Sequence, residues 1–249
     1  MMLVVNRSLI FILYFVLILI CSDVWSQNTK SELIDATNKG NAALVFKILD
    51  SGKIEAEELN EAFVAAIKKG NPAVVERFLK TGVDVNIRFD HNSTPLLQAA
   101  RDGREHIVEI LLAAGASVDS VNDENDTALI LAAEKGRKKI VPMLLSAGAN
   151  VNSKRNNGMT ALLLAAQEGY QQIIQALIDA KVDVNYQLEN GATALMLAAQ
   201  HGHLGAIHSL IGAKADPNLK AGNGMTALML ANLHRHREVI DLLKNAGAK

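Results

Sequence analysis

Apolar residues in this chain gather in short clusters with helical spacing, and the clusters recur at a fixed interval. Over residues 88–120, Leu96, Leu97, Ala99 and Ala100 make one cluster, and Ile107, Val108, Leu111 and Leu112 make a second. Both follow the i, i+3, i+4 rule of a helix with one buried face. Thr94 stands where a helix cap belongs, and Pro95 takes the first helical position, which needs no amide proton. Gly103 ends the first helix, with Gly70, Gly136, Gly169 and Gly202 at the matching places. Gly115 closes the second helix, and Val118-Asp119 leads out in extended form. The elements predicted are therefore helix, turn, helix and a short loop, repeated.

The repeat length is 33 residues, read from Thr94, Thr127, Thr160, Thr193 and Thr226. Each threonine is followed by Pro or Ala and then Leu, as in Pro95-Leu96 and Ala128-Leu129. Two positions before each threonine stand Asn92, Asn125, Gly158, Gly191 and Gly224, types that tolerate positive φ in a tight turn. One such unit is too small to bury its own apolar side, so neighbours must share a core.

These residues resemble the ankyrin repeat, whose pattern is Gly-x-Thr-Pro-Leu-His-x-Ala-Ala-x-x-Gly with a Gly-Ala-Asp-Val-Asn exit. The exit is matched by Gly82-Val83-Asp84-Val85-Asn86, Gly148-Ala149-Asn150-Val151-Asn152, Lys181-Val182-Asp183-Val184-Asn185 and Lys214-Ala215-Asp216-Pro217-Asn218. The resemblance covers about residues 29–249 and implies an all-α ankyrin solenoid of about seven helix–turn–helix units with short β-hairpin loops. Residues 29–87 hold two degenerate units, 88–221 the regular repeats, and 222–249 a C-terminal capping repeat. Glu61-Ala62-Phe63 and Ser31-Glu32-Leu33 stand where the first two units would carry the Thr-Pro-Leu signature. The family's histidine is replaced by Leu97, Ile130, Leu163, Met196 and Met229, which substitutes apolar packing for its hydrogen bonds. Pro142 lies inside a second helix and is expected to bend it. Lys244 falls where Leu112, Leu145, Ile178 and Ile211 serve the core, which suits an end unit.

The first 26 residues differ from the rest. Arg7, an apolar run from Leu9 to Ile20, and Val24-Trp25-Ser26 describe a secretory signal cut before Gln27. The apolar run has 12 residues, against the roughly 20 that a spanning helix needs. An uncleaved anchor, lengthened by Val4 and Val5, is the rival reading. Export implies a periplasmic or secreted protein that has left the membrane. The sole cysteine, Cys21, falls in this segment, so the mature chain has no thiol for a disulfide, a nucleophile or a zinc site.

A formal net charge of −1 gives no reason to expect nucleic acid as partner. The carboxylates are spread singly, with neither a nucleophile elbow nor a phosphate loop, so the chain reads as no enzyme and needs no cofactor. His201 and His234 hold equivalent places in adjacent repeats, as do His203 and His236. Equivalent residues are on the order of 10 Å apart, too far for shared ligation unless side chains converge. No metal site is assigned, although a metal- or small-ligand-binding module built on these four histidines is the alternative function. Lys135, Arg137, Lys138 and Lys139, flanked by Lys154 and Arg155, form a basic stretch that reads as a solvated face. Asn92-Ser93-Thr94 and Asn125-Asp126-Thr127 match the glycosylation acceptor, with turn and cap roles as the competing account.

The resemblance places a partner on the concave side, at the loop tips and first helices. The candidate contact residues are Asp90, His91, Arg101, Asp123, Glu124, Asp126, Glu134, Lys135, Asn157, Met159, Glu168, Glu189 and Met225. Met159 and Met225 either meet the partner or pack on a neighbouring loop. The function expected is a monomeric, exported scaffold for an unidentified protein partner.

Overall fold

The structure, a computed structural model, describes residues 32–52 and 54–249. The expected signal, Cys21 and Ser31 lie outside the described residues. The fold is all-α, as an ankyrin solenoid requires. By its packing the chain forms two units, Met1–Asp84 and Val85–Lys249.

In the first unit, helical residues 32–39 (α1) precede α2 (Ala42–Asp50), α3 (Ala56–Lys69) and α4 (Pro72–Lys80). Asn41 and Asn71 cap α2 and α4 by accepting from the amides of Leu44 and Val74. Phe63 and Phe78 are fully buried with ring centroids 6.0 Å apart, and Leu33, Ile67 and Val75 of the same unit are fully buried as well. Glu61-Ala62-Phe63 starts no helix. Without a turn residue or a capping threonine, α3 runs back to Ala56, where Glu55 makes no side-chain cap.

The second unit holds five repeats in regular order. Its first helices are α5 (Pro95–Asp102), α7 (Ala128–Glu134), α9 (Ala161–Glu168), α11 (Ala194–His201) and α13 (Ala227–Leu233). Its second helices are α6 (Glu105–Ala113), α8 (Ile140–Ser146), α10 (Gln171–Asp179), α12 (Leu204–Gly212) and α14 (Arg237–Asn245). First helices pack on first helices in chain order, and second helices do the same. Every first helix starts at a buried threonine whose hydroxyl accepts an amide proton three residues on, at 3.2–3.4 Å. Leu97, Ile130, Leu163 and Met196 are buried where the family has histidine, whereas Met229 is 47 % exposed.

Pro142 does not bend a helix from within. Its missing N–H and its ring exclude the carbonyl of Lys138 from the helical ladder. Helix α8 accordingly begins at Ile140, two residues later than the starts of α6, α10 and α12 would place it. Pro142 thus sits in the first turn, where an amide proton has no helical acceptor.

Among the described residues there is no β-strand, so the expected hairpins reduce to tight loops. Phe89 pairs with Ser93, and Lys154 with Thr160, as isolated bridges. The amides of Asn122, Arg155, Leu188 and Ala221 each donate to the carbonyl four residues on, at 2.9–3.3 Å. Asn125 and Asn92 both have φ of 59°, the left-handed value that the asparagine and glycine pattern called for.

Two ladders tie repeat to repeat. In the exit segments, side-chain oxygens of Asn86, Asp119, Asn152 and Asn185 accept the amides of Ser117, Asn150, Asp183 and Asp216, at 2.8–3.1 Å. Asn218 does the same for Lys249 at 2.9 Å. The second set follows three of the first helices, α5, α9 and α11. The guanidinium of Arg137 and the imidazoles of His203 and His236 reach back to the carbonyls of Arg101, Gln167 and Gln200, at 2.9–3.0 Å. Lys244 is exposed where Leu112, Leu145, Ile178 and Ile211 are half-buried.

Candidate functional site

The loop tips and first helices of the second unit share one face, and side-chain positions repeat along it. One row is Gln98, Leu131, Leu164, Leu197 and Leu230. The next, one helical turn on, is Arg101, Glu134, Gln167, Gln200 and Leu233. A third row comes from the loops: Ser93, Asp126, Met159, Ala192 and Met225. The face changes character along its length because the rows change from polar to apolar.

At the polar end, Gln98 donates to Asp102 at 2.6 Å and accepts from Arg101 at 2.7 Å. In the next repeat, Arg155 bridges Asp126 and Glu134, at 2.5 and 3.2 Å. Asp126 and Arg155 are nearly out of solvent, with side chains 7 % and 17 % exposed. Burial works to lower the Arg155 pKa, but the hydrogen bonds and charges of Asp126 and Glu134 outweigh it and raise the value. Asp126, expected at an exposed tip, is therefore an interior anchor that ties the loop of one repeat to that of the next.

At the other end, the loops over residues 188–192 and 221–225 and the helices α11 and α13 leave an open groove of about 340 Å³. Met196, Leu197, Met225 and Leu230 supply its apolar walls, and Asn190 and Asn223 its polar edge. The loops approach so closely that the amide of Gly222 donates to the Asn190 carbonyl at 2.7 Å. A Cβ on Gly191 would lie 2.9 Å from the Ala221 backbone, so only glycine fits. Leu233, 67 % exposed, follows on the last turn of α13.

Of the candidate contact residues, Asp90, His91, Asp123, Glu124, Asn157 and Glu189 are exposed at the tips, and Arg101, Lys135 and Glu168 are exposed at first-helix ends. Glu134, Met159 and Met225 are half-buried. Met225 lines the groove, whereas Met159 does not. Met196, Leu197 and Leu230 line the same groove but fell outside the sequence reading. The signal for Leu197 and Leu230 was the helical row they share with Gln98 and Leu131, visible once the repeats are overlaid, while Met196 was read only as a core replacement for the family's histidine.

The four histidines are arranged for packing. His201 stacks on His203 with centroids 6.0 Å apart, and His234 on His236 at 6.1 Å. The Nε2 atoms of His203 and His236 meet carbonyls, and their Nδ1 sides press on Gly169 and Gly202. Among the described residues no group of three potential ligands could hold a metal ion. The basic stretch is also largely engaged. Arg137 meets a carbonyl, Lys139 pairs with Glu105 at 2.9 Å, and Lys154 lies 4.1 Å from the Tyr186 ring centroid. Asn125 donates to the Lys154 carbonyl at 2.5 Å and so holds a turn.

Stacked helix pairs, threonine-capped and joined by tight loops, define a helical repeat scaffold of the kind that binds other proteins. A family model for ankyrin repeats, written for three copies, matches residues 33–122, 62–155, 115–187, 144–221 and 181–249. The chain belongs to the ankyrin-repeat family. Comparison with curated proteins gives no match.

Proposed function

We propose that this chain is an exported, non-catalytic scaffold that docks a partner protein on the loop-tip and first-helix face of residues 88–233. The observation that carries this reading is the uncharged groove between α11 and α13, with Leu233 exposed at the end of α13. Apolar side chains left open to water at the end of an otherwise closed row favour association. Adaptable methionines suit a surface that must conform to another protein. Ankyrin-repeat domains typically work as interaction scaffolds, and nothing in the described residues assembles a catalytic group.

Site-specific photo-crosslinking tests the face. A crosslinker at Glu189 or Asn223 should capture partner protein in the native compartment, and one at Gln175 or His208 on the second helices should not. Capture only from the second helices would sink the reading. Export rests on the charged start, apolar run and small-residue site of the first 26 residues. Mass spectrometry of the mature protein should find a chain beginning at Gln27. A retained N-terminus would favour the tethered form. Among the described residues no helix is long and apolar enough to cross a membrane.

A further inference from the structure

We infer that the docking face takes a short extended segment of the partner that carries one large apolar anchor, with lysine or arginine residues to one side of it. This deepens the reading of that face as the interaction surface and rests on it.

The groove exists because of one side chain. Arg155, Leu188 and Ala221 hold equivalent positions in successive loops. Arg155 fills the space beside Asp126 and Glu134 with its own guanidinium. At 221 the side chain shrinks to a methyl group, followed by Gly222, and the space beside Met196, Leu197 and Met225 stays open. Its lining contains no charged side chain, so a charged group entering it would be stripped of water without a counter-charge. A volume of about 340 Å³ is at the small end for a ligand cavity and suits one side chain with its flanking backbone. The carboxamides of Asn190 and Asn223 at the edge can pair with that backbone.

Charge sets the direction. Asp123, Glu124, Glu168 and Glu189 are exposed on this face and form no ion pair among the described residues. Of the cations beside them, Arg155 is held by two carboxylates and Lys135 lies 3.8 Å from Glu134, whereas Lys154, over the Tyr186 ring, keeps its charge. Lys220 is exposed and precedes Ala221 in the loop that borders the groove. Over residues 121–135, 154–168 and 187–201, six carboxylates stand against three basic side chains, so net negative charge runs from the groove toward lower-numbered repeats. With helices packed about 10 Å apart, the tip bearing Glu124 is roughly 20 Å from that bearing Glu189. About six extended residues span that distance.

The test is a phage-displayed random peptide library panned on the full chain, followed by anisotropy titrations of the selected peptides. Ala221→Leu closes the groove with the residue that its neighbour Leu188 already shows to be tolerated. Glu168→Lys with Glu189→Lys reverses the field. Unchanged thermal melting establishes that both variants fold. The selected peptides should share an aromatic or large aliphatic residue with basic residues on one side. Ala221→Leu should weaken them by about tenfold or more, the worth of one buried apolar side chain. The charge reversal should weaken them several-fold and remove most of their salt dependence. Acidic or neutral consensus peptides, equal binding to Ala221→Leu, or no selected peptide at all would overturn the inference. Peptides indifferent to Ala221→Leu but lost on Asp123→Lys with Glu124→Lys would remove only the segment chemistry. Indifference to all of these changes would remove the face as well.

Discussion

The imidazole of His203 lies across Gly169 and meets the Gln167 carbonyl at the end of the preceding first helix. A Cβ on Gly169 would stand 2.5 Å from that ring, at a φ of 72° that L residues avoid. Gly169→Ala should therefore destabilise the fold by about 2 kcal/mol or more in denaturant titration, from left-handed strain plus the displaced ring. His203→Ala should cost about 1 kcal/mol, one hydrogen bond to a helix end. Zinc titration of the same variant and its parent should show no saturable site in either, and tight binding lost with His203 would revive the metal reading. Arg155 has a different weight. Removing it as Arg155→Ala leaves Asp126 interior and uncompensated, an expected loss of about 2–4 kcal/mol, below the fully buried case because Glu134 is partly solvated. Its folded pKa is raised, so its contribution is complete below the ordinary arginine value and falls only as strong alkali deprotonates the folded form. The deficit of Arg155→Ala should be the same at pH 6 and pH 9, and a large difference would contradict this sign.

Helix α8 shows how one residue sets an element's start. With Pro142 in place, the ladder cannot accept the Lys138 carbonyl, and the helix waits until Ile140. Pro142→Ala should extend α8 toward Lys138, read as slower amide exchange around residues 138–142. Unchanged exchange there would mean that the basic stretch, and not the proline, holds the turn open. The starts of the first helices in the second unit depend on the threonines. Thr160→Ala should cost about 1 kcal/mol and Thr160→Ser much less, because serine keeps the acceptor for the Leu163 amide. The first unit confirms the rule by contrast, since α3 lacks such a cap and overruns to Ala56.

Across the whole molecule, stability in a repeat array is a sum of unit and neighbour terms. The second unit joins its repeats by the exit ladder, the helix-end ladder and the loop bonds. The first unit is held by the Asn41 and Asn71 caps, a phenylalanine pair and the Arg77–Asp50 ion pair, without the regular succession of equivalent repeats that sets up the ladders of the second. Native-state hydrogen exchange should therefore open α2–α4 at lower free energy than α7–α12. Equal protection in both units would show that loop and exit bonds add little beyond core packing.

Threonine caps, glycine ends, left-handed loop residues and the core faces of ten helices were legible in the chain, because each depends on residues within one repeat and recurs at one period. The buried fate of Asp126 was not legible, since its partner Arg155 comes from the next loop, 29 residues on. Nor was the groove. Met225 stood out in the sequence as an apolar loop residue, but Ala221 and Leu230 look ordinary until the preceding repeat is set beside them and shows what is missing. Local chemistry writes the elements into the sequence, whereas the space between two repeats is a difference between their side chains, and only their packing turns that difference into a surface.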